Sequence, residues 1–261
     1  MILMRICPRE FKYTVFLSFD LDAESAEVYM KRDPVSMSFG RYSVKIGVKK
    51  ILEVLGDHGL KVTFFTPGWV VEKYSDVVGS ILGDGHEVAL HGYLHEKLDQ
   101  LELEEELLVF KKSISAFERI LDFKPKGFRA PYWRFSGNTL NILFEEGFLY
   151  DSSLMDDEKP YILEHNGRKI VELPVDWRLD DWPHLEIHRL PPRMLLEMWM
   201  EELDYAARNN GFLSLTMHPS CISRGARIRV LTRILGVLEE TEAWTPKGCD
   251  LASRIIELLG K

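Results

Sequence analysis

The chain has few cysteines, no long apolar run and no excess of basic residues, and each absence excludes a class of protein. Its three cysteines, Cys7, Cys221 and Cys249, are scattered over 261 residues, which does not suit a disulfide framework or a zinc knuckle and favours a reducing compartment. No run approaches the roughly 20 apolar residues of a membrane helix. The formal charge of −8 argues against a nucleic-acid-binding face, which needs clustered Lys and Arg. We therefore expect neither a membrane nor a nucleic acid as a partner.

The N-terminal residues MILMRICPREFKYTVFLSFD show no basic region, long apolar region and small-residue cleavage site in the order that a secretory signal requires. We therefore expect a cytoplasmic protein.

The composition, with 46% hydrophobic and 28% charged residues, is typical of a globular chain. No Ser/Pro-rich linker interrupts it, so we expect one domain over residues 1–261, and a homo-oligomer is compatible with the sequence.

Seven short apolar runs, rich in β-branched and aromatic residues, alternate with longer stretches of helical spacing. The stretches 44–59 and 98–122 place Ile, Val, Leu and Phe at threes and fours, which predicts amphipathic helices. Strands that alternate with helices form a mostly parallel sheet or barrel, so we expect an α/β fold, a distorted (β/α) barrel with about seven parallel strands. The seven predicted strands cover residues 14–20, 61–68, 86–92, 126–133, 147–155, 170–177 and 211–220.

Polar residues capable of catalysis or metal binding follow these runs at their C-terminal ends. Barrel enzymes build their active sites at that end of the sheet, so we expect these side chains to share one site. In chain order they are Asp20 and Asp22, His91 and His95, Arg129, Asp151, Asp176, and His218.

Two pairs among them suggest a metal. His91 and His95 are four residues apart, so on a helical turn both imidazoles would point the same way. Asp20 and Asp22 face the same side of a strand, where two carboxylates repel each other unless a cation lies between them. One carboxylate and two imidazoles are a familiar ligand set for zinc with open positions, and the second carboxylate is then free to act as a base.

The ordered motifs resemble those of the polysaccharide deacetylase superfamily, carbohydrate esterase family 4. SFDLD is similar to its first motif, HGYLH to its second, RAPYW to its third, YDSSLMDD to its fourth and LTMHP to its fifth. The resemblance implies a metal-dependent hydrolase of C–N bonds other than peptide bonds, most often an N-deacetylase of amino sugars in a polysaccharide. Its substrate would be a carbohydrate or another small molecule.

One departure concerns the first motif, where the family usually has two adjacent aspartates and this chain has Leu21 between them. This variant resembles the branch with cytoplasmic peptidoglycan-deacetylase-like and allantoinase-like proteins. The alternative function is accordingly a hydrolase of cyclic imides or ureides, with or without a metal. A third interpretation, from another class, is an inactive carbohydrate-binding protein on the same fold.

The resemblance and the residue chemistry together assign roles. Asp22, His91 and His95 would bind a divalent metal, most readily zinc, with cobalt or nickel as alternatives, and Asp20 would be the general base. Arg129 would orient Asp20, the backbone N–H of Tyr132 would hold the oxyanion, and His218 would protonate the leaving nitrogen. Asp151 would keep His218 protonated, with Asp176 or Asp181 as the alternative.

Four tryptophans and one cysteine have no role in this assignment. Trp69, Trp133, Trp177 and Trp182 either line the substrate pocket or pack the rim of the barrel. The Trp- and Asp-rich segment 176–186 is either a plain connection or a loop that covers a site, and as a lid it could serve its own chain or a neighbour. Cys221 follows His218 by three residues, but no base is identifiable for it, so we expect no nucleophile there.

Overall fold

The structure, a computed structural model, describes residues 6–259, and within that range nine strands form one sheet. Seven of them form one continuous parallel series in the order β8-β1-β2-β3-β4-β5-β7, which confirms the predicted parallel barrel strands. The strands are β1 Tyr13–Asp20, β2 Thr63–Thr66, β3 Glu87–Leu90, β4 Gly127–Phe128, β5 Tyr150–Asp151, β6 Tyr161–His165, β7 Arg168–Glu172, β8 Phe212–Met217 and β9 Ala243–Trp244.

The two further strands, β6 and β9, were not predicted from the sequence. β9 pairs with the start of β1. β6 is antiparallel to β7 and is joined to it by Asn166 and Gly167, both with positive φ. Asn-Gly is the preferred pair for a tight hairpin turn because both positions need a left-handed backbone.

The barrel closes through the segment that follows β7. Asp180 forms a parallel bridge with Thr216 of β8, the strand at the other edge of the parallel series. Residues 177–187 therefore cross from the β7 edge to the β8 edge and contribute a wall at the carboxyl ends of the strands.

Eleven helices surround the sheet within residues 6–259. The predicted helix 44–59 is part of a longer helical stretch: α2 runs through a π-helical turn at Ser43–Gly47 into α3. The predicted helix 98–122 begins late, because Glu102 starts a new helix and donates its N–H to the Glu105 carboxylate. No helix in the described range is both apolar enough and long enough to cross a bilayer. The helices are α1 Ser25–Tyr29, α2 Pro34–Tyr42, α3 Val48–Asp57, α4 Gly68–Lys73, α5 Ser75–Gly83, α6 Leu103–Leu121, α7 Thr139–Glu146, α8 Pro192–Asn209, α9 Pro219–Ile222, α10 Ile228–Glu240 and α11 Gly248–Leu259.

The alternation of side chains along β1 positions the site. Val15, Leu17 and Phe19 belong to the large core cluster that the sheet forms with the outer helices, whereas Phe16 belongs to a smaller cluster that also contains Phe65. Because successive side chains in a strand point to opposite faces, Asp20 lies on the face of Phe16. Leu21 packs in the large cluster, so its burial leaves Asp20 and Asp22 on the same face.

Candidate active site

A cavity of about 460 Å³ opens at the carboxyl ends of the parallel strands. Strand ends supply its floor, α1 and α2 supply one wall, and the 177–187 segment supplies another. The predicted site residues that line it are Asp20, Asp22, His91, His95, Tyr132, Trp133, Trp177, Trp182 and His218.

Asp22, His91 and His95 converge on one point of this cavity. Asp22 Oδ1 lies 3.5 Å from Nε2 of His91 and 3.5 Å from Nε2 of His95. Zinc–ligand distances of about 2.0–2.1 Å in tetrahedral geometry separate neighbouring ligand atoms by roughly 3.3–3.4 Å. The carboxylate oxygen is therefore spaced from each imidazole nitrogen as two ligands of one ion would be, and all three atoms lie within 4.8 Å of one another.

The hydrogen bonds around these residues also fit a cation. His91 Nδ1 donates to the carbonyl of Arg129 at 2.7 Å, so Nε2 presents its lone pair to the cavity. No donor within residues 6–259 reaches Asp22 Oδ1, although that atom is buried. Burial lowers the pKa of His91 to about 4 and that of His95 to about 3, so both imidazoles are neutral and able to bind a metal near pH 7. The donor set is a candidate metal site.

The predicted helical turn between the two histidines is wrong. Residues 91–97 form a loop, in which Gly92 and His95 have φ of +70° and +62°. A Cβ at Gly92 would lie 3.0 Å from Cγ of Pro131 and 3.1 Å from the Glu96 carboxylate. The imidazoles meet through this compact turn, which the Glu96 carboxylate holds by accepting from the N–H of Tyr93 and Leu94.

Asp20 differs from Asp22 in its partners. Its Oδ1 accepts from Nη1 of Arg129 at 2.7 Å, and the same nitrogen donates to Ser18 Oγ at 2.9 Å. Burial opposes ionisation of Asp20, but Arg129 and the nearby histidines outweigh it, and its pKa is lowered. Burial raises the pKa of Asp22, which has no such partner. Asp20 is thus an ionised carboxylate beside the candidate metal site.

His218 lies across the cavity and is paired with Asp181. Its Nδ1 donates to Asp181 Oδ1 at 2.8 Å, its backbone N–H donates to the same oxygen at 3.0 Å, and Asp180 Oδ1 lies 3.4 Å from Nδ1. Burial alone would lower the pKa of His218, but the two carboxylates raise it well above the ordinary value. Nδ1 of His218 already donates a hydrogen bond to Asp181 and therefore has no lone pair for a metal. Asp180, Asp181 and His218 thus form an ion pair with an additional carboxylate rather than a second metal site.

The predicted pairing of Asp151 with His218 is wrong, and its alternative Asp181 takes that place. Asp151 Oδ1 accepts from Ser153 Oγ at 2.8 Å, and β5, which ends at Asp151, is separated in the sheet order from β8, which precedes His218, by four strands. Asp176 accepts from the N–H of Arg178 and caps the short helical turn Trp177–Leu179. Asp180 was not predicted as a site residue, although its adjacency to Asp181 in LDDW was the available signal.

The third motif forms a strained turn at the cavity wall. Tyr132 and Trp133 have φ of +58° and +52°, a conformation that costs free energy for residues other than Gly and is concentrated at functional sites. The Tyr132 ring packs 4.3 Å from the ring of His95. The turn therefore places the Tyr132 side chain next to His95 of the candidate metal site.

Three of the four tryptophans line the cavity. The Trp182 ring lies 5.5 Å from the ring of His218, and Trp177 is 61% exposed at the mouth. The 176–186 segment thus forms a wall over the cavity of its own chain. Trp69 lies outside the cavity and packs under Lys73, whose Nζ lies 4.3 Å from the ring.

Burial raises the pKa of the Cys221 thiol far above its ordinary value, which agrees with an inert cysteine.

Known proteins share this fold and these motifs. A family model described as polysaccharide deacetylase matches residues 27–150. The peptidoglycan deacetylase of Helicobacter pylori is 29% identical over 225 residues, which cover 73% of this chain and 77% of that protein. A solved structure of a candidate polysaccharide deacetylase from Mycobacterium smegmatis is 32% identical, with a TM-score of 0.89 over 97% of this chain and 93% of the other.

A further solved structure, Puue Allantoinase, has a TM-score of 0.91 at 19% identity, over 98% of this chain and 94% of the other, a likeness that shows the fold alone. Together with the five ordered motifs and the barrel, the more similar proteins confirm the resemblance found in the sequence. The chain belongs to the polysaccharide deacetylase superfamily, carbohydrate esterase family 4.

Proposed function

We propose that this chain is a metal-dependent hydrolase of amide C–N bonds and that it removes N-acetyl groups from amino sugars of a polysaccharide. The observation that carries the proposal is the arrangement across one cavity: a carboxylate–bis-imidazole cluster, an ionised carboxylate held by an arginine, and a protonated imidazole opposite them. The family supports the same reaction, and the curated relative from Helicobacter pylori is named a peptidoglycan deacetylase.

Asp22, His91 and His95 are the proposed ligands of the metal, with zinc as first choice and cobalt or nickel as alternatives. A bound divalent ion would lower the pKa of a water molecule and polarise the amide carbonyl. His91 is oriented for this role by its bond to the Arg129 carbonyl, because that bond fixes which nitrogen faces the cavity.

Asp20 accepts the proton of the attacking water. Arg129 keeps Asp20 ionised, and Ser18 and Arg129 together hold the carboxylate in place. The backbone N–H of Tyr132, presented by the strained turn of the third motif, donates to the oxygen that becomes negative during attack.

His218 delivers a proton to the departing nitrogen. Asp181 and Asp180 favour the protonated imidazole, which is the form that an acid needs. Nε2 of His218 lies 3.8 Å from Asp22 Oδ2, so it points toward the reacting centre. Trp133, Trp177 and Trp182 offer flat apolar faces for the sugar ring.

The size of the cavity favours one second candidate, the hydrolysis of a cyclic imide or ureide. At about 460 Å³ and walled by α1, α2 and residues 177–187, the cavity is in the lower part of the range for pockets that hold a single small molecule. The same base, acid and metal ligands would open a ring amide.

A substrate panel tests both candidates. The zinc-loaded protein is assayed against acetylated chito-oligosaccharides, peptidoglycan fragments, cyclic imides and allantoin, and we expect release of acetate from the amino sugars. Turnover of the ring amides alone would replace the deacetylase by the second candidate.

Asp20→Asn tests the mechanism for whichever substrate reacts. The variant keeps the shape of the side chain and removes the base, so kcat should fall by roughly 10²-fold to 10⁴-fold. Glu106→Gln is the control, because Glu106 is a buried carboxylate that bonds Ser136 and Thr139 outside the cavity. If no substrate reacts, or if Asp20→Asn retains full activity, the chain is a binding protein or uses another mechanism.

A further inference from the structure

Asp151, displaced from its predicted role, belongs to a pair of buried carboxyl groups next to the active site. Asp151 ends β5, Glu172 ends β7, and the two are neighbours in the parallel register. Both side chains are fully buried, and both bond Ser153: Asp151 accepts from its Oγ and Glu172 accepts from its backbone N–H.

In the described part of the chain, the hydrogen bonds of the pair leave one oxygen of each carboxyl group without a donor. Asp151 Oδ1 accepts from Ser153 Oγ at 2.8 Å, and Glu172 Oε1 accepts from the N–H groups of Ser153 and Leu154, both at 3.0 Å. No donor within residues 6–259 serves the remaining oxygens, Asp151 Oδ2 and Glu172 Oε2. Two buried carboxylates in contact would repel each other, whereas one shared proton satisfies both oxygens.

Burial favours Glu172 as the carrier of that proton. Burial and the neighbouring Asp151 raise the pKa of Glu172 well above its ordinary value. Protonated Glu172 can donate from Oε2 to Asp151 Oδ2, which ties the end of β5 to the end of β7.

The tied segment holds Arg129. The Ser152 carbonyl accepts from Arg129 Nε at 3.1 Å, and Ser152 Oγ accepts from Nη2 at 2.9 Å. Ser153 Oγ accepts from the N–H of Ala130 at 2.9 Å while it donates to Asp151. The remaining guanidinium nitrogen, Nη1, donates to Asp20. Residues 152 and 153 therefore support Arg129 on the side opposite the general base.

We propose that Asp151 and Glu172 share one proton and act as positioning residues, which fix residues 151–154 against Arg129 and thereby aim the guanidinium at Asp20. The kinetic consequence rests on the proposed function, whereas the shared proton and the aim of Arg129 do not. Glu172→Gln should keep the arrangement, because an amide NH₂ replaces the donating O–H and the amide oxygen still accepts from Ser153 and Leu154. Asp151→Ala should break it.

The first measurement is steady-state kinetics of the metal-loaded variants on the substrate that the wild type hydrolyses. We expect Asp151→Ala to lower kcat by roughly 10²-fold, the cost of a misplaced catalytic group, with KM unchanged, and Glu172→Gln to remain close to the wild type. Glu106→Ala is the matched control, because it removes another fully buried carboxylate and should lower stability without lowering kcat. Equal losses of kcat in all three variants would overturn the proposal in favour of a general packing effect.

Two further measurements do not depend on activity. Infrared difference spectra of wild type minus Glu172→Gln at neutral pH should contain the carbonyl band of a protonated carboxyl group. A crystal structure of Asp151→Ala should show Arg129 Nη1 withdrawn from the 2.7 Å contact with Asp20. Absence of the band, or an unchanged contact, would overturn the proposal.

These experiments distinguish failure of the proposed function from failure of the proposed carboxyl pair. A wild type without activity on any amide contradicts the proposed function, and the spectrum and the crystal structure still decide the pair. If Asp151→Ala does not fold, Ser153→Ala replaces it, because it removes the bonds to Asp151 and Ala130 and leaves both carboxyl groups. Its crystal structure should then show Arg129 displaced, and an unchanged Arg129 would refute the proposal.

Discussion

The two ends of β3 each carry a buried histidine, and the comparison shows how this barrel separates structure from chemistry. At the amino end, His86 Nδ1 accepts from the N–H of Val62 at 3.1 Å. At the carboxyl end, His91 Nδ1 donates to the Arg129 carbonyl and leaves Nε2 facing Asp22. His86 completes the hydrogen bonding of its neighbours, whereas His91 presents an unused lone pair to a cavity.

The carboxylates at the two ends differ in the same way. Near the amino end, Glu87 accepts from Tyr150 Oη at 3.1 Å, Thr63 Oγ1 at 2.8 Å and the N–H of Cys249 at 3.0 Å, so both oxygens are satisfied. At the carboxyl end, no donor within residues 6–259 reaches Asp22 Oδ1. Since a buried polar atom without a partner costs free energy, an unsatisfied carboxylate oxygen that lines a cavity indicates an external ligand. A satisfied carboxylate, such as that of Glu87, indicates a structural role.

The largest effect that would test this comparison is on metal affinity. Asp22→Ala removes one of three proposed ligands, and we expect zinc affinity to fall by more than about 10²-fold, beyond the loss that follows the removal of a residue that only orients a ligand. Glu87→Gln, at the satisfied end, should bind zinc as the wild type does. Isothermal titration calorimetry of the metal-free proteins measures both. Equal zinc affinity in Asp22→Ala and Glu87→Gln would remove the distinction between the two ends.

The second largest effect concerns the alkaline limb of the pH–activity profile. The carboxylates of Asp181 and Asp180 raise the pKa of His218, so the proposed acid stays protonated above its ordinary value near 6.5 and is lost only as the pH rises through the raised value. Asp181→Asn lowers that pKa. We therefore expect the alkaline limb to move to lower pH and kcat at neutral pH to fall by roughly 10-fold or more.

Asp176→Asn is the control for this experiment, because Asp176 lies in the same segment but caps a turn instead of contacting His218. Profiles of kcat/KM against pH should shift for Asp181→Asn and coincide with the wild type for Asp176→Asn. A coincident profile for Asp181→Asn would show that His218 is not the acid.

The smallest effect lies at the amino end of β3 and concerns the free energy of unfolding. Burial lowers the pKa of His86 to about 4, so the unfolded chain, with an ordinary value near 6.5, binds the proton more readily than the folded one. Stability should therefore decrease as the pH falls from about 6.5 to about 4. In His86→Asn, whose Oδ1 can still accept from Val62, this decrease should be smaller by about 1–2 kcal/mol, given 1.36 kcal/mol per pKa unit and partial screening.

Urea unfolding at several pH values measures this difference, and comparison with the wild type cancels the titration of other groups. Both variants at the amino end of β3, Glu87→Gln and His86→Asn, should bind zinc as the wild type does. If His86→Asn changed zinc affinity instead of acid stability, the two ends of β3 would not be independent.

The fold could be predicted from the sequence to a large extent. The seven parallel strands were found because apolar β-branched runs repeat between helical patterns, and Asp20 and Asp22 were placed on one face because side chains in a strand alternate. The short strands β6 and β9 were missed. β6, with the sequence YILEH, is partly exposed and has only three apolar residues in a row, and β9 has only two residues, so neither provides the longer apolar run that identified the others.

The site could be predicted only in part. The polar residues at the strand ends were found, since the carboxyl ends of parallel strands meet at one edge. The turn that joins His91 to His95 was mistaken for a helix, because the spacing of two residues does not reveal the left-handed backbone at Gly92 and His95.

The sequence by itself determined the order of the motifs, the residue types at the strand ends and the parallel barrel, because these depend on local periodicity. Only the tertiary structure decided that Asp181 rather than Asp151 partners His218. That choice depends on where residues 177–187 cross the barrel and on the bridge between Asp180 and Thr216. A segment without periodicity contains no information about its register, so its partners are set by packing against elements that are distant in the chain.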